Sequence, residues 1–242
     1  MEMAKTTWTK VEEYLKTKQT LIIPVGSTEQ HGPTALIGTD YMTATAVALK
    51  VGELTETMVA PSLNYGMANH HLGFAGSASL NPSTYIKVNM ELLESWIGQG
   101  FTKFVYVNGH GGNIAPLNCA FSELKRTYQD IKIGVFDWWH LKEVTDYEGE
   151  HFGDENGHHA TCGEVSVTQF VHEDAFKNIT PQNFKVSPSS HHWPLSAKEM
   201  KEHHPDGRMD SNPGLASKEH GKKIYDISTI AIAKKVKELG YV

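Results

Sequence analysis

The chain has 242 residues, 39% hydrophobic and 21% charged, with 22 basic against 28 acidic side chains and a net charge of −6. That length can bury a core without staples, and the acidic balance, with no basic stripe, argues against nucleic acid or an anionic membrane as partner. Two cysteines, no N-terminal signal pattern and no apolar run of spanning length leave a small-molecule partner and a reducing cytoplasm as the expected setting.

In chain order, "TLIIPVGS" (20–27) reads as a buried strand, β-branched and stopped by glycine. Thr39 or Asp40 then stands where a cap opens a helix through "YMTATAVALKVGEL" (41–54). "MVAPSLNYG" (58–66) is a weaker strand whose central proline suits an edge. "TYIKVNMELLESWIGQG" (84–100) has helical spacing and ends at Gly98 or Gly100. "KFVYVNGHGGN" (103–113) is the clearest strand, closing in a glycine loop, and "APLNCAFSELKRTYQD" (115–130) follows as a helix. "IKIGVFDWWH" (131–140) is a further strand, whereas "GEVSVTQFVHED" (163–174) fits strand and helix equally. The segment from 185 to 214 is polar and turn-rich, and its paired histidines, His191-His192 and His203-His204, read as surface groups. A last helix over 220–240 shows Ile224, Ile227, Ala231 and Val236 on one face. This alternation predicts one α/β domain over residues 1–242, with a mostly parallel sheet covered by helices on both faces.

Ligands of open α/β sheets bind outside the carboxyl ends of the strands. Two loops leave that edge, "PVGSTEQHGPTALIGTD" (24–40) and "NGHGGN" (108–113), and they carry Glu29, His31, Asp40 and His110. Glu29 and His31 are two apart, so on extended backbone they point the same way. Carboxylates and imidazoles suit divalent zinc, manganese or iron. Two of each exceed the three protein ligands usual for a catalytic zinc; a second ion needs a bridging carboxylate and one more anion, for which Glu164 in "HHATCGEVS" (158–166) is the best candidate. The simpler alternatives stay open at this point: Asp40 as a helix cap, Glu29 solvated in a loop, Glu164 on a surface strand, and "NGHGGN" as a phosphate cradle that lacks the lysine and hydroxyl of a P-loop.

Taken together, "PVGSTEQHGPTALIGTD", "HLGFAGSASLNPSTY" (71–85), "VNGHGGN" and "HHATCGEVS" resemble the creatininase family of metal-dependent amidohydrolases, in the same order over about residues 20 to 170. The resemblance implies a three-layer α/β/α fold, a homo-oligomer that is often a hexamer, and a two-metal centre that hydrolyses a cyclic amide or similar C–N bond. It implies Glu29 and His110 as ligands of one ion, His31 of the other, and Asp40 between them. Creatininase takes a further ligand from a glutamate two positions after the loop histidine, which here is Gly112; either Glu164 takes its place as ligand, or the second site is weaker, exchanging or vacant. His159 aligns with the histidine that handles a proton near the substrate, and Cys162 falls at a variable position that suits packing. Where creatininase closes an aromatic lid over its substrate, this chain has Glu155, Asn156 and His158, so creatinine itself is not the expected substrate. Trp138 and Trp139 suit either the pocket or the core.

The chemistry expected on this basis is attack on an amide carbonyl by hydroxide formed from a water held between two divalent cations. Backbone N–H groups around Gly111 would steady the oxyanion, and His159, with His158 or Glu164 as alternates, would protonate the leaving nitrogen. Ser77 and Ser79 are candidate substrate hydrogen bonders. The alternatives are a formamidopyrimidine-type deformylase or a lactone or sugar-ring hydrolase of the same family, a non-catalytic nucleotide- or phosphate-binding module, and a metal-stapled structural oligomer.

Overall fold

The computed structural model describes residues 1–186 and 192–242, so His191 lies outside the described residues. Four strands, β1 (Thr20–Val25), β2 (Met58–Val59), β3 (Lys103–Asn108) and β4 (Lys132–Asp137), form a sheet in the order β2-β1-β3-β4, with every pairing parallel. The expected strand over 58–66 shrinks to its first two residues on the sheet edge, because Pro61 supplies no N–H to continue the ladder.

The strands alternate between two cores, as a pleat of period two requires. Leu21, Ile23, Val25, Phe104 and Tyr106 pack on one face with Leu93, Leu117 and Leu124. Those partners come from α3 (Pro82–Ile97) and α4 (Ile114–Thr127); α1 (Trp8–Leu15) adds Tyr14 to the same core. Ile22, Val105 and Val107 face the other way, onto α2 (Thr39–Thr55), α5 (Lys142–His151), α6 (Cys162–Val171) and α8 (Lys218–Glu238). A short α7 (Ala197–His203) lies between α6 and α8 in the chain. The result is three layers, helix on sheet on helix.

The ambiguous 163–174 stretch is helical, opened by a capping box in which Thr161 Oγ1 accepts from Glu164 N while Glu164 accepts from Thr161 N. In α8, Ile224, Ala231 and Val236 are buried and Ile227 packs beside them. The paired tryptophans divide: Trp138 is core, and Trp139 lines the pocket described below. No helix among the described residues is long and apolar enough to cross a membrane.

The chain runs from β1 through α2 to β2 on one side, then returns to place β3 on the other side of β1. The crevice at such a reversal, between the carboxyl ends of β1 and β3, is where this architecture admits ligands.

Candidate metal centre

Both loops that leave β1 and β3 meet the first turn of α2 in this crevice. Asp40 sits in that turn with no capping hydrogen bond, so it does not serve as the N-cap; its side chain turns to the histidines instead. Two glycines permit the approach: a Cβ on Gly109 would lie 2.1 Å from Asp40 O, and one on Gly26 would lie 2.3 Å from Tyr41 N. The asparagines of "NGHGGN" tie the loops together. Asn113 Nδ2 donates to Gly26 O (3.0 Å) and its Oδ1 accepts from Met67 N (3.1 Å), while Asn108 Oδ1 accepts from His110 N (3.1 Å).

The ligand-type atoms converge. His31 Nε2 is 2.9 Å from Asp40 Oδ1; His110 Nδ1 is 3.1 Å from Asp40 Oδ2 and 3.2 Å from Glu29 Oε2. Glu164 Oε2 lies 3.9 Å from His31 Nε2, and His159 Nδ1 lies 3.7 Å from Glu29 Oε1. Close as they are, both oxygens of Glu29, His31 Nε2 and Asp40 Oδ2 are buried without a hydrogen bond of acceptable geometry. Groups that approach but do not bond one another fit a shared third atom between them, and orphaned buried charge is otherwise costly.

The outward-facing ring nitrogens support the same conclusion. His31 Nδ1 lies 3.1 Å from Glu29 O, His110 Nε2 lies 3.0 Å from Met67 O and His159 Nε2 lies 2.7 Å from Gln30 O. A backbone carbonyl only accepts, so each of these nitrogens carries a proton, and the opposite nitrogen, facing the carboxylates, is the one that a cation could take in exchange for a proton. A carbonyl behind the ring is the usual support of a metal-ligating histidine.

His71 reads the other way. Gln30 Oε1 accepts from Gly32 N (2.8 Å) and its Nε2 donates to Gly207 O (2.9 Å), which fixes the amide orientation by assignment of the network. That same Nε2 donates to His71 Nδ1 (2.8 Å), so His71 carries its proton on Nε2, 3.4 Å from Glu29 Oε1. His71 therefore turns a protonated nitrogen toward Glu29, short of a hydrogen bond of acceptable geometry, and offers it no bare nitrogen for a metal. It is a residue the sequence reading missed, although it opens the quoted 71–85 stretch.

The sequence model of the family described as "Creatininase: Creatinine amidohydrolase" matches residues 4–236. The chain belongs to the creatininase family. It is 38% identical over 120 residues to the mycofactocin precursor peptide peptidase of Mycolicibacterium smegmatis, covering 46% of this chain and 47% of that one. It is 29% identical over 217 residues to the 3-dehydro-scyllo-inosose hydrolase of Thermotoga maritima, covering 86% of this chain and 64% of that one. The chain thus spans roughly half to two thirds of the length of these relatives. The manganese form of creatininase superposes with a TM-score of 0.82 at 22% identity, covering 98% of this chain and 97% of that one, which shows the shared fold.

The departure from creatininase at Gly112 has a steric cause. A Cβ there would meet Met67 O at 2.2 Å and His110 Nε2 at 2.5 Å, so no glutamate fits without moving the 67 loop. Glu164 reaches the cluster from the opposite side with a divided carboxylate: Oε1 accepts from Thr161 N at 2.5 Å, and Oε2 faces His31. The creatininase-like cluster lies in the wall of a pocket of about 750 Å³, which Gly111, His158, His159, Trp139 and Trp193 also line. Ser77 is not in that wall; its Oγ accepts from Gln30 N (3.0 Å) and so braces the first loop from behind. Ser79 Oγ likewise serves structure, accepting from Ala68 N (2.7 Å).

Charge follows geometry. Burial opposes a charge on His31, but the Asp40 carboxylate overrides it and raises the imidazole to about 10. Burial likewise opposes charge on His110, which Glu29 and Asp40 raise well above the usual imidazole range. Burial opposes ionisation of Glu29, yet His110 and His71 hold it down at about 2. Burial and the charge on His31 push His159 down to about 3, so it is neutral near pH 7. Burial raises Glu164 to about 7, with His31 opposing and Asp40 adding.

A pH dependence of the metal-free protein follows. His31 and His110, raised above 6.5, contribute stability that is complete below 6.5 and lost as pH rises; for His31 the loss runs through about 10. Glu164, raised from 4.5 to about 7, acts in the same direction. Between 4.5 and 6.5 the neutral His71 and His159 work in the opposite sense, so the alkaline limb is diagnostic. Chelated protein should show a falling Tm from pH 6.5 to 10, and added Mn²⁺ or Zn²⁺ should remove much of that fall. A Tm unchanged over this range would contradict the protonated, paired cluster.

Proposed function

We propose that the chain is a metal-dependent hydrolase with a two-cation centre that cleaves a C–N bond in a cyclic amide or a close chemical relative. The observation that carries this reading is that, of three ligand trios among the described residues, each clustered within 4.8 Å, two (Glu29/Asp40/His110 and His31/Asp40/Glu164) share Asp40, while the third is Glu29/His31/His159. The donor set of carboxylates and imidazoles suits zinc, manganese or iron. When bound there, such cations would polarise a substrate carbonyl and acidify a water.

The chain's own groups would supply the rest. Asp40, with one oxygen toward each histidine, spaces the two halves of the site. His159, neutral and bare at Nδ1, would accept a proton during attack and pass it to the leaving nitrogen, which departs poorly as an anion. Glu164, if it does not hold a cation, is the alternate carrier, its carboxyl raised by burial. The backbone at Gly111 and the ring of His158, both in the pocket wall, would contact substrate. A pocket of about 750 Å³ suits a small ring.

A second reading, hydrolysis of an oxygen-rich carbocycle, is favoured by the polar side of the pocket at Thr145, Glu148 and Asn156 and by the Thermotoga relative's name. One experiment separates these. Metal content is measured on protein purified without chelator, and lactams, cyclic ureides, formamidopyrimidines and polyhydroxylated cyclic ketones are screened with added Mn²⁺ or Zn²⁺. The expected result is about two ions per chain and turnover of a lactam or ureide. Turnover of the ketones alone would establish the second reading, and protein that binds no ion would remove both.

A further inference from the structure

Two ring side chains from outside the metal loops make a corner in the pocket wall. Trp193 belongs to the stretch 193–195 and His70 to the short turn Asn69–His71, and both line the pocket. Their ring centroids are 5.2 Å apart with the planes at 86°, an edge-to-face contact. The corner is held from behind. Leu195, also in the pocket wall, packs with Met200, Met209 and Phe74 in a small core of its own. A Cβ on Gly73 would lie 2.7 Å from Ala197 O, so the start of α7 rests directly on the turn that follows His70. His70 lies 4.2 Å from the ring of His71, whose Nε2 is 3.4 Å from Glu29 Oε1. Trp193 therefore stands two rings back from a candidate cation ligand. It is 53% exposed. A large apolar ring that lines a cavity and keeps half its surface open is area a ligand can cover, and leaving it in water gains the fold nothing.

We propose that Trp193 is a specificity-determining residue that stacks on a planar ring, an unsaturated or amide-bearing heterocycle, at the part of the substrate remote from the bond that is cut. Two rings set nearly at right angles give a flat ligand one wall to lie against and a second to abut. A puckered ring meets either wall through its substituents and gains less from both. The residues at the position of the creatininase lid are polar here, with Asn156 and His158 in the pocket wall, so the aromatic face comes instead from a stretch beyond α6. This role deepens the hydrolase reading and rests on it for the word substrate, but the binding of a ring at Trp193 does not.

The test uses Mn²⁺- or Zn²⁺-loaded full-length protein, with uracil, hydantoin and 2-pyrrolidinone as planar probes and myo-inositol as the puckered one. Saturation-transfer NMR gives the affinities in wild type, Trp193→Phe and Trp193→Ala, and indole fluorescence reports whether a ring reaches Trp193. At least one planar probe should bind and perturb the fluorescence, and Trp193→Ala should weaken its Kd ~10-fold while Trp193→Phe keeps it within about threefold. Any affinity for myo-inositol should be the same in all three proteins. For whichever planar ring the wild type turns over, Trp193→Ala should raise KM ~10-fold with kcat within about twofold and metal content unchanged, a split that damage to the fold would not give. An unchanged Kd in Trp193→Ala, no rescue by phenylalanine, equal loss of myo-inositol, or no planar probe bound overturns the proposal. If planar rings bind through Trp193 and no compound is hydrolysed, the hydrolase reading falls and the ring site stands.

Discussion

Replacing Asp40 with alanine is expected to strip bound divalent metal and to lower kcat/KM by ~10³-fold or more. Asp40 is the one carboxylate shared by the two trios, with an oxygen near His31 and another near His110. Its removal leaves each half of the centre short of an anion and removes the negative charge that opposes two buried imidazoles. Metal content by mass spectrometry, read beside turnover, checks this. Full activity in a metal-depleted Asp40→Ala protein would eliminate the two-cation mechanism. Loss of activity with metal retained would instead assign Asp40 a role in chemistry and not in binding.

The second large effect lies in the backbone. Gly109→Ala should cost about 3 kcal/mol of stability and weaken metal binding, because its Cβ would press on the carbonyl of Asp40 at 2.1 Å. Nothing flexible stands in that gap: the obstacle is main chain at the start of α2, so relief requires the helix to move and Asp40 with it. Gly149→Ala is the matched control, on exposed helix with nothing within 4 Å of the added methyl, and should stabilise by up to ~1 kcal/mol. Denaturant melts with metal titrations measure both. Wild-type stability and metal content in Gly109→Ala would show that the close approach does not position Asp40.

Much of the framework is visible in local pattern. β1 and β3 announce themselves as apolar β-branched runs that stop at glycine, and the helices after them show the spacing of one buried face. Where the pattern is weak, the reading stops short. α5 (KEVTDYEGEH) and α7 (AKEMKEH) bury too few residues to show an apolar stripe; α1 differs, since Val11, Tyr14 and Leu15 do share one face against the core and it went unread all the same. Two capping boxes carried a sharper signal than hydropathy. Thr161 with Glu164 settles the ambiguous α6, and Ser196 with Glu199 opens α7. In α6 the alternation of Val165 and Val167 imitated a strand, yet the chain there packs on α8 and α2 as a helix.

The site divides along the same line. Its ligand-type residues could be named from two loops and one helix start, because strand ends in a parallel sheet must discharge their loops at a common edge. His71, Gln30 and Glu148 escaped that logic, since each acquires its role from a distant partner. The Gln30–Gly207 bond that orients the amide joins residues 177 apart, and the Gln30–His71 bond joins residues 41 apart.

By itself, then, the order of residues determined the alternating elements, the sheet edge where chemistry-bearing side chains gather, and the family to which the chain belongs. Only the tertiary structure decided which nitrogen of each histidine faces the carboxylates, that Gly112 leaves no room for a glutamate, that Glu164 approaches from the far side, and that Glu148 joins the pocket. The reason is one of range. Periodicity and capping act over a few neighbours along the chain, whereas a tautomer, a steric closure or an orphaned oxygen is defined by whatever backbone the fold brings within about 3 Å.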